Sequence, residues 1–146
     1  MGTINDVSIL HDTVQRVKTI LASGITTATV MSSWPEKKVT FPLITVRANM
    51  GYTDRMGFYS EMLQIPIIVN IDIWSTKTKE RDCLSGSVLD LLRTTQYGVS
   101  SPVGSGTTLD KLYDFRMTSC NDFDEPGKQG LHRKMIEINY KYYTTT

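Results

Sequence analysis

The stretch Ile65-Pro66-Ile67-Ile68-Val69-Asn70-Ile71-Asp72-Ile73-Trp74 decides the fold. Successive side chains of a strand point to opposite faces, so Ile65, Ile67, Val69, Ile71 and Ile73 make one unbroken apolar face. The other face carries Pro66, Ile68, Asn70, Asp72 and Trp74, a mixed and half-wet set. Such a strand belongs in the middle of a sheet, with one side against a helix layer.

On its C-terminal side, Ser75 or Thr76 is placed to cap a helix in which Leu84, Val88, Leu91 and Leu92 recur at i, i+4, i+7 and i+8. Gly86 costs that helix about 1 kcal/mol relative to alanine. Beside Ser85 and Ser87 it offers a smooth patch for close packing on the sheet, and Cys83 falls inside the buried-looking part of the helix. Residues Tyr97 to Thr108 are rich in Gly, Ser, Thr and Pro and read as a loop. Two strands follow. Tyr113, Phe115 and Met117 alternate with polar residues, as do Ile136, Ile138, Tyr140 and Tyr142. Asn121 to Gly127 between them forms the turn of an antiparallel hairpin.

On its N-terminal side, Phe41 to Arg47 reads as a strand with Pro42 at its start, where a missing N–H matters least. Thr27 to Ser32 is a shorter strand, ended by Trp34-Pro35. The first segment is a helix: Ile4, Val7, Leu10, Val14, Val17 and Leu21 recur at three and four, Asn5 or Asp6 caps it, and Gly24 ends it. Helix, strands, helix, strands imply an α+β fold: a mainly antiparallel sheet with an N-terminal helix and a central helix packed on one face. The expectation is a single domain, 1–146.

The composition is that of an ordinary globular chain. Of 146 residues, 40% are apolar and 21% charged, with sixteen basic against fifteen acidic side chains. That balance argues against a dedicated nucleic-acid binder, which shows a basic surplus or stripe. Lys128, Arg133, Lys134 and Lys141 gather near the last hairpin, and Lys37-Lys38 form a pair; a solvated surface is preferred over a face for DNA. Cys83 and Cys120 form no CxxC pair and are expected to be free thiols in a reducing cytoplasm. No apolar run approaches the roughly 20 residues that span a bilayer, so no membrane is expected.

The candidates for chemistry are weak. Gly104-Ser105-Gly106-Thr107-Thr108 lacks the lysine that a phosphate-cradling loop needs. Asp122, Asp124 and Gly127 echo a calcium loop, yet Pro126 and Arg133 stand where oxygen ligands are required. His11, His132, Cys83 and Cys120 are scattered singly, unlike a zinc ligand set or a Cys/His dyad. No enzyme, cofactor or metal is expected. Between Asn49 and Glu61, by contrast, Tyr52, Met56, Phe58 and Tyr59 stand among turn-forming glycines, a mixture suited either to protein contacts or to folding back on its own sheet.

Four features resemble the tail-terminator or tail-completion proteins of long-tailed phages and related viruses. They are the opening helix Val7 to Leu21, the aromatic-Pro-apolar strand Phe41-Pro42-Leu43-Ile44-Thr45-Val46, the passage Ile67 to Trp74 into a polar helix start, and the closing strand His132-Arg133-Lys134-Met135-Ile136-Glu137-Ile138. The resemblance implies a virion protein, made in the host cytoplasm, whose six copies close into a ring. Such a ring caps the tail tube, ends its polymerisation and joins it to a head-completion or connector protein, while DNA passes through the lumen without sequence-specific binding. Tyr52, Met56, Phe58 and Tyr59 are then the expected ring or tube contact. Two other classes stay open: a different head–tail connector or neck protein, and a small cytoplasmic enzyme or nucleic-acid adaptor built on His11, His132, Asp122 or Asp124.

Overall fold

A computed structural model of the chain describes residues 7–34, 40–55, 57, 62–97, 112–123 and 130–145. Helix α1 (Ile9–Gly24) is followed by strands β1 (Thr29–Met31), β2 (Leu43–Met50), β3 (Asp54–Arg55) and β4 (Met62–Ser75). Helix α2 (Thr78–Tyr97) and strands β5 (Leu112–Phe123) and β6 (His132–Thr145) complete the order. The sheet runs β1-β2-β4-β6-β5, with β3 beside β4. Among the described strands, only β1 and β2 pair in parallel. The expected α+β architecture holds, and the strand read first from the sequence is the middle of the sheet.

Its register explains the core. Ile71 lies between Val46 and Ile136, Val69 between Ala48 and Ile138, and Ile67 between Met50 and Tyr140. Ile67, Val69, Ile71 and Ile73 are wholly buried, as are Ile136, Ile138 and Tyr140. Both helices cover this face; Val17, Ile20 and Leu21 come from α1, and Leu84, Val88 and Leu92 from α2. Each such aliphatic side chain contributes roughly 1.5–3 kcal/mol on burial.

Several local expectations change. Helix α1 is entered at Ser8, whose hydroxyl donates to the Asp12 carboxylate at 2.7 Å, with no side-chain cap of the backbone. Asn5 and Asp6 lie outside the described residues. The buried stripe runs Ile9, Thr13, Arg16, Val17, Ile20 and Leu21, whereas Val7 is exposed and Leu10 and Val14 are half-buried. Ile9 and Ile20 stand on the inward face, so the buried stripe is rotated away from the row that starts at Ile4.

Gly86 does not pack on the sheet. It is exposed, and a Cβ there would meet nothing within 4 Å. The close approach occurs instead at Gly24, where a Cβ would stand 2.5 Å from the Leu91 δ-carbons of α2. Cys83 is exposed, because Leu84 and Val88 define the inward face and Cys83 points away from it. In β5 the even alternation of Tyr113, Phe115 and Met117 is broken by register shifts between Tyr113 and Arg116 and between Met117 and Ser119. Tyr113 and Met117 stay half-exposed, while Leu112 reaches the core and Phe115 and Cys120 pack against it. Bulges change which side chains face inward. The antiparallel hairpin of β5 and β6 is as expected, but Asn121, Asp122 and Phe123 belong to β5 and not to its turn, and Tyr97 ends α2 and does not open a loop, because strand pairing and helix run further than the residue types imply; residues 98–111 and 124–129 lie outside the described residues.

Candidate assembly surface

Strand β4 is longer than its neighbour. Beyond the Met50–Ile67 pair its outer edge passes to β3, where Asp54 pairs with Gln64 and Arg55 with Leu63. On the other side β6 follows β4 as far as the Met62–Thr145 pair. Residues 51–55 and the facing end of β4 therefore make an arm continuing past the part of β4 that β2 flanks. Gly51 holds its base: its N–H donates to the Pro66 carbonyl at 2.9 Å, and a Cβ would stand 2.6 Å from Pro66 Cγ. Tyr52 is 92% exposed, and Met50 and Met62 are partly so. Tyr52 thus stands on the arm; Met56, Phe58 and Tyr59 lie outside the described residues.

At the opposite end of β4, the face turned away from the helices carries a ledge of rings and arginines. Trp34 meets Trp74 edge-on, with ring centres 5.0 Å apart, and Phe41 lies 6.4 Å from Trp34. The Arg133 guanidinium sits 4.7 Å from the Trp74 ring centre and 5.7 Å from that of Phe123. Asp72, only 3% exposed, anchors the group. It accepts from Arg133 Nε at 3.2 Å and Nη2 at 3.0 Å, and from Arg47 Nη2 at 3.3 Å. Trp34 and Phe123 keep 44% and 46% of their surface exposed. Trp and Arg carry binding energy at protein contacts, where Phe is also enriched. This ledge was missed from the sequence. Its signal was an aspartate and a tryptophan on the outward face of a central strand, where a buried carboxylate requires cationic partners.

The basic residues of the last hairpin are engaged with carboxylates. Lys134 Nζ lies 2.9 Å from Asp82 and 3.3 Å from Asp122, and Arg81 reaches the same two at 3.2 and 3.4 Å. The Lys134 hydrogen bond, then that of Arg81, holds the Asp82 carboxyl below its usual range. In turn the bond to Asp82, outweighing partial burial, raises Lys134. Lys141 pairs with Asp114 at 2.9 Å and lowers its pKa. Arg133, Lys134 and Lys141 thus bind the fold together, which favours the solvated-surface alternative over a DNA-facing stripe. Lys37, Lys38 and Lys128 lie outside the described residues.

Among the described residues, no three His, Cys, Asp or Glu side chains gather as a metal set. His11 is exposed on α1, His132 stands opposite Ser75 in the sheet, Cys83 is exposed and Cys120 half-buried. Asp122 serves the ion-pair cluster, and Asp124 is outside the described residues. Among them, no helix is long and apolar enough to cross a membrane.

No protein-family model and no curated protein matches the chain. Among solved structures, the fold is shared with a chain from the virion of a native gene transfer agent (GTA) particle, at a TM-score of 0.59. The likeness covers 92% of this chain and 95% of that one, with 14% of residues identical. At that identity, what is shared is the fold.

Proposed function

We propose that the chain is a structural virion protein, a single domain whose copies close into a ring that caps a tail tube and joins it to the head. The observation that carries this is the likeness, along nearly the full length of both chains, to a component of a virion particle. The four resemblances to tail-terminator proteins point the same way. So does the distribution of the surface: Met50, Tyr52 and Met62 are exposed on the arm and Trp34 and Phe123 on the ledge, while Arg81, Arg133, Lys134 and Lys141 are held in ion pairs.

A ring requires one patch of a subunit to meet a different patch of its neighbour. Six copies would end tube growth by occupying its end and would present the opposite rim to a connector protein, with DNA crossing the lumen. Mixed surface charge suits that passage, since a strongly basic lumen would trap phosphates.

Purified protein, alone and mixed with tail tubes, tests this by light scattering and negative-stain imaging. Rings, or a single ring-shaped layer at one tube end with elongation stopped, are expected. Subunits that leave elongation unchanged and bind only the head vertex would assign the chain to another neck position. Subunits that bind neither would remove the assembly role.

A further inference from the structure

Two exposed apolar patches stand at opposite ends of β4. At one end is the arm, with Tyr52 and Met62; at the other is the ledge, with Trp34 and Phe123. Twelve strand steps from Met62 to Trp74 put them roughly 40 Å apart, at about 3.3 Å per residue. They cannot meet within one copy.

Their chemistry is complementary. The ledge holds Arg47 and Arg133 against the carboxylate of Asp72, and the Arg47 side chain, which reaches Asp72 at 3.3 Å, keeps 56% of its surface exposed to an incoming carboxylate. On the arm, Asp54 pairs with Gln64, which shares the face of Asp72 and Trp74; Arg55, paired with Leu63, is directed to the other face. The arm thus brings an exposed ring, Tyr52, and an exposed carboxylate, Asp54, two positions apart. We infer that the arm of one copy seats on the ledge of the next, with Tyr52 against Trp34 and Phe123 and Asp54 beside Arg47. This rests on the ring assembly proposed above and supplies its subunit contact. Because donor and acceptor patches differ, each copy uses its arm on one neighbour and its ledge on the other, so the contact propagates until it closes.

Two variants and their mixture test it. Tyr52→Asp spoils the arm and Phe123→Glu the ledge; both positions are exposed, so circular dichroism and melting should match the parent. Each variant alone should assemble at least about tenfold more weakly, the loss expected of a contact residue worth more than 1.4 kcal/mol. Mixed in equal amounts they retain one intact arm–ledge pair and should stop at two copies. Disulfide trapping reads the same contact when assembly is transient. In a chain carrying Cys83→Ser and Cys120→Ser, Tyr52→Cys mixed with Phe123→Cys should cross-link about tenfold more than Tyr52→Cys mixed with Thr27→Cys. Equal cross-linking in the two mixtures overturns the contact. Rings that persist in both charged variants also overturn it, while leaving the ring assembly standing. Selective cross-linking without rings, even on tail tubes, keeps the contact and removes the ring.

Discussion

The guanidinium of Arg133 lies 4.7 Å from the centre of the Trp74 ring, and the two residues are paired neighbours on β6 and β4. The same guanidinium donates twice to Asp72, two positions earlier on β4. One side chain therefore joins a cation–π contact, of about 0.5–1 kcal/mol at a partly exposed site, to a charge-assisted pair. Arg47 holds the other Asp72 oxygen from β2, so the carboxylate ties together three strands.

Asp72→Asn should therefore destabilise the protein by about 2 kcal/mol, since hydrogen bonds to a charged group are lost while the site stays buried. The substitution preserves shape, so the helix-side core is untouched. Urea unfolding should show a lower midpoint with an unchanged slope. A midpoint equal to the parent's would mean that the arginines are held by packing alone.

Two helical glycines should respond with opposite signs. Gly86 has open space around it and normal helical neighbours, so Gly86→Ala should gain about 1 kcal/mol of stability from helix propensity. Gly24→Ala drives a methyl into Leu91 and should cost about 1 kcal/mol through overpacking between the helices. Thermal melts of the two single variants decide this, and shifts of the same sign would contradict the assigned packing.

Period-two alternation made β4 and β6 legible down to individual buried residues, because a half-buried strand leaves its face in the sequence. The helices were legible as elements but less so as surfaces. The row Leu10, Val14, Val17, Leu21 and the row Ile9, Val17, Ile20, Leu21 overlap, and only the partner surface chooses between them. Tertiary packing likewise decided which glycine is crowded. In β5 the bulges broke the alternation, and no residue type announces them. The ledge joins Trp34, Arg47, Asp72, Phe123 and Arg133 from separate segments, so register had to bring them together. The exposure of Tyr52 was legible because an aromatic residue beside a glycine in a connection has little local core to enter, whereas its part in a contact is a proposal.

Stability should fall at both extremes of pH through one cluster. Asp82 is lowered from its ordinary value of 3.8, chiefly by the Lys134 hydrogen bond, so its contribution is present above that value and is lost as pH drops through the folded-state value. Lys134 is raised from 10.5, chiefly by the bond to Asp82, so its contribution is full below that value and is lost as pH climbs through the folded-state value. The tie between α2 and the β5–β6 hairpin is thus complete between about pH 4 and pH 10. Lys134→Met should lower the urea midpoint at pH 7, and the gap to the parent should close in strong acid, where Asp82 is protonated. A gap constant with pH would show that Lys134 contributes packing and not charge.

Tyr140 is wholly buried on the helix-facing side of β6, edge-on to Phe115 with ring centres 5.9 Å apart. Its hydroxyl finds no hydrogen-bond partner among the described residues, and burial pushes its pKa well above the usual phenol range. A buried hydroxyl that leaves water without replacement costs about 1–3 kcal/mol. Tyr140→Phe removes that cost while keeping the ring against Phe115, so it should stabilise the fold by about 1 kcal/mol. The gain should appear as a higher urea midpoint and a higher melting temperature, with the slope of the transition unchanged. Tyr140→Leu separates the ring from the hydroxyl: it removes both, loses the aromatic pair and should fall below the parent. Destabilisation by Tyr140→Phe would show that the hydroxyl is bonded in solution.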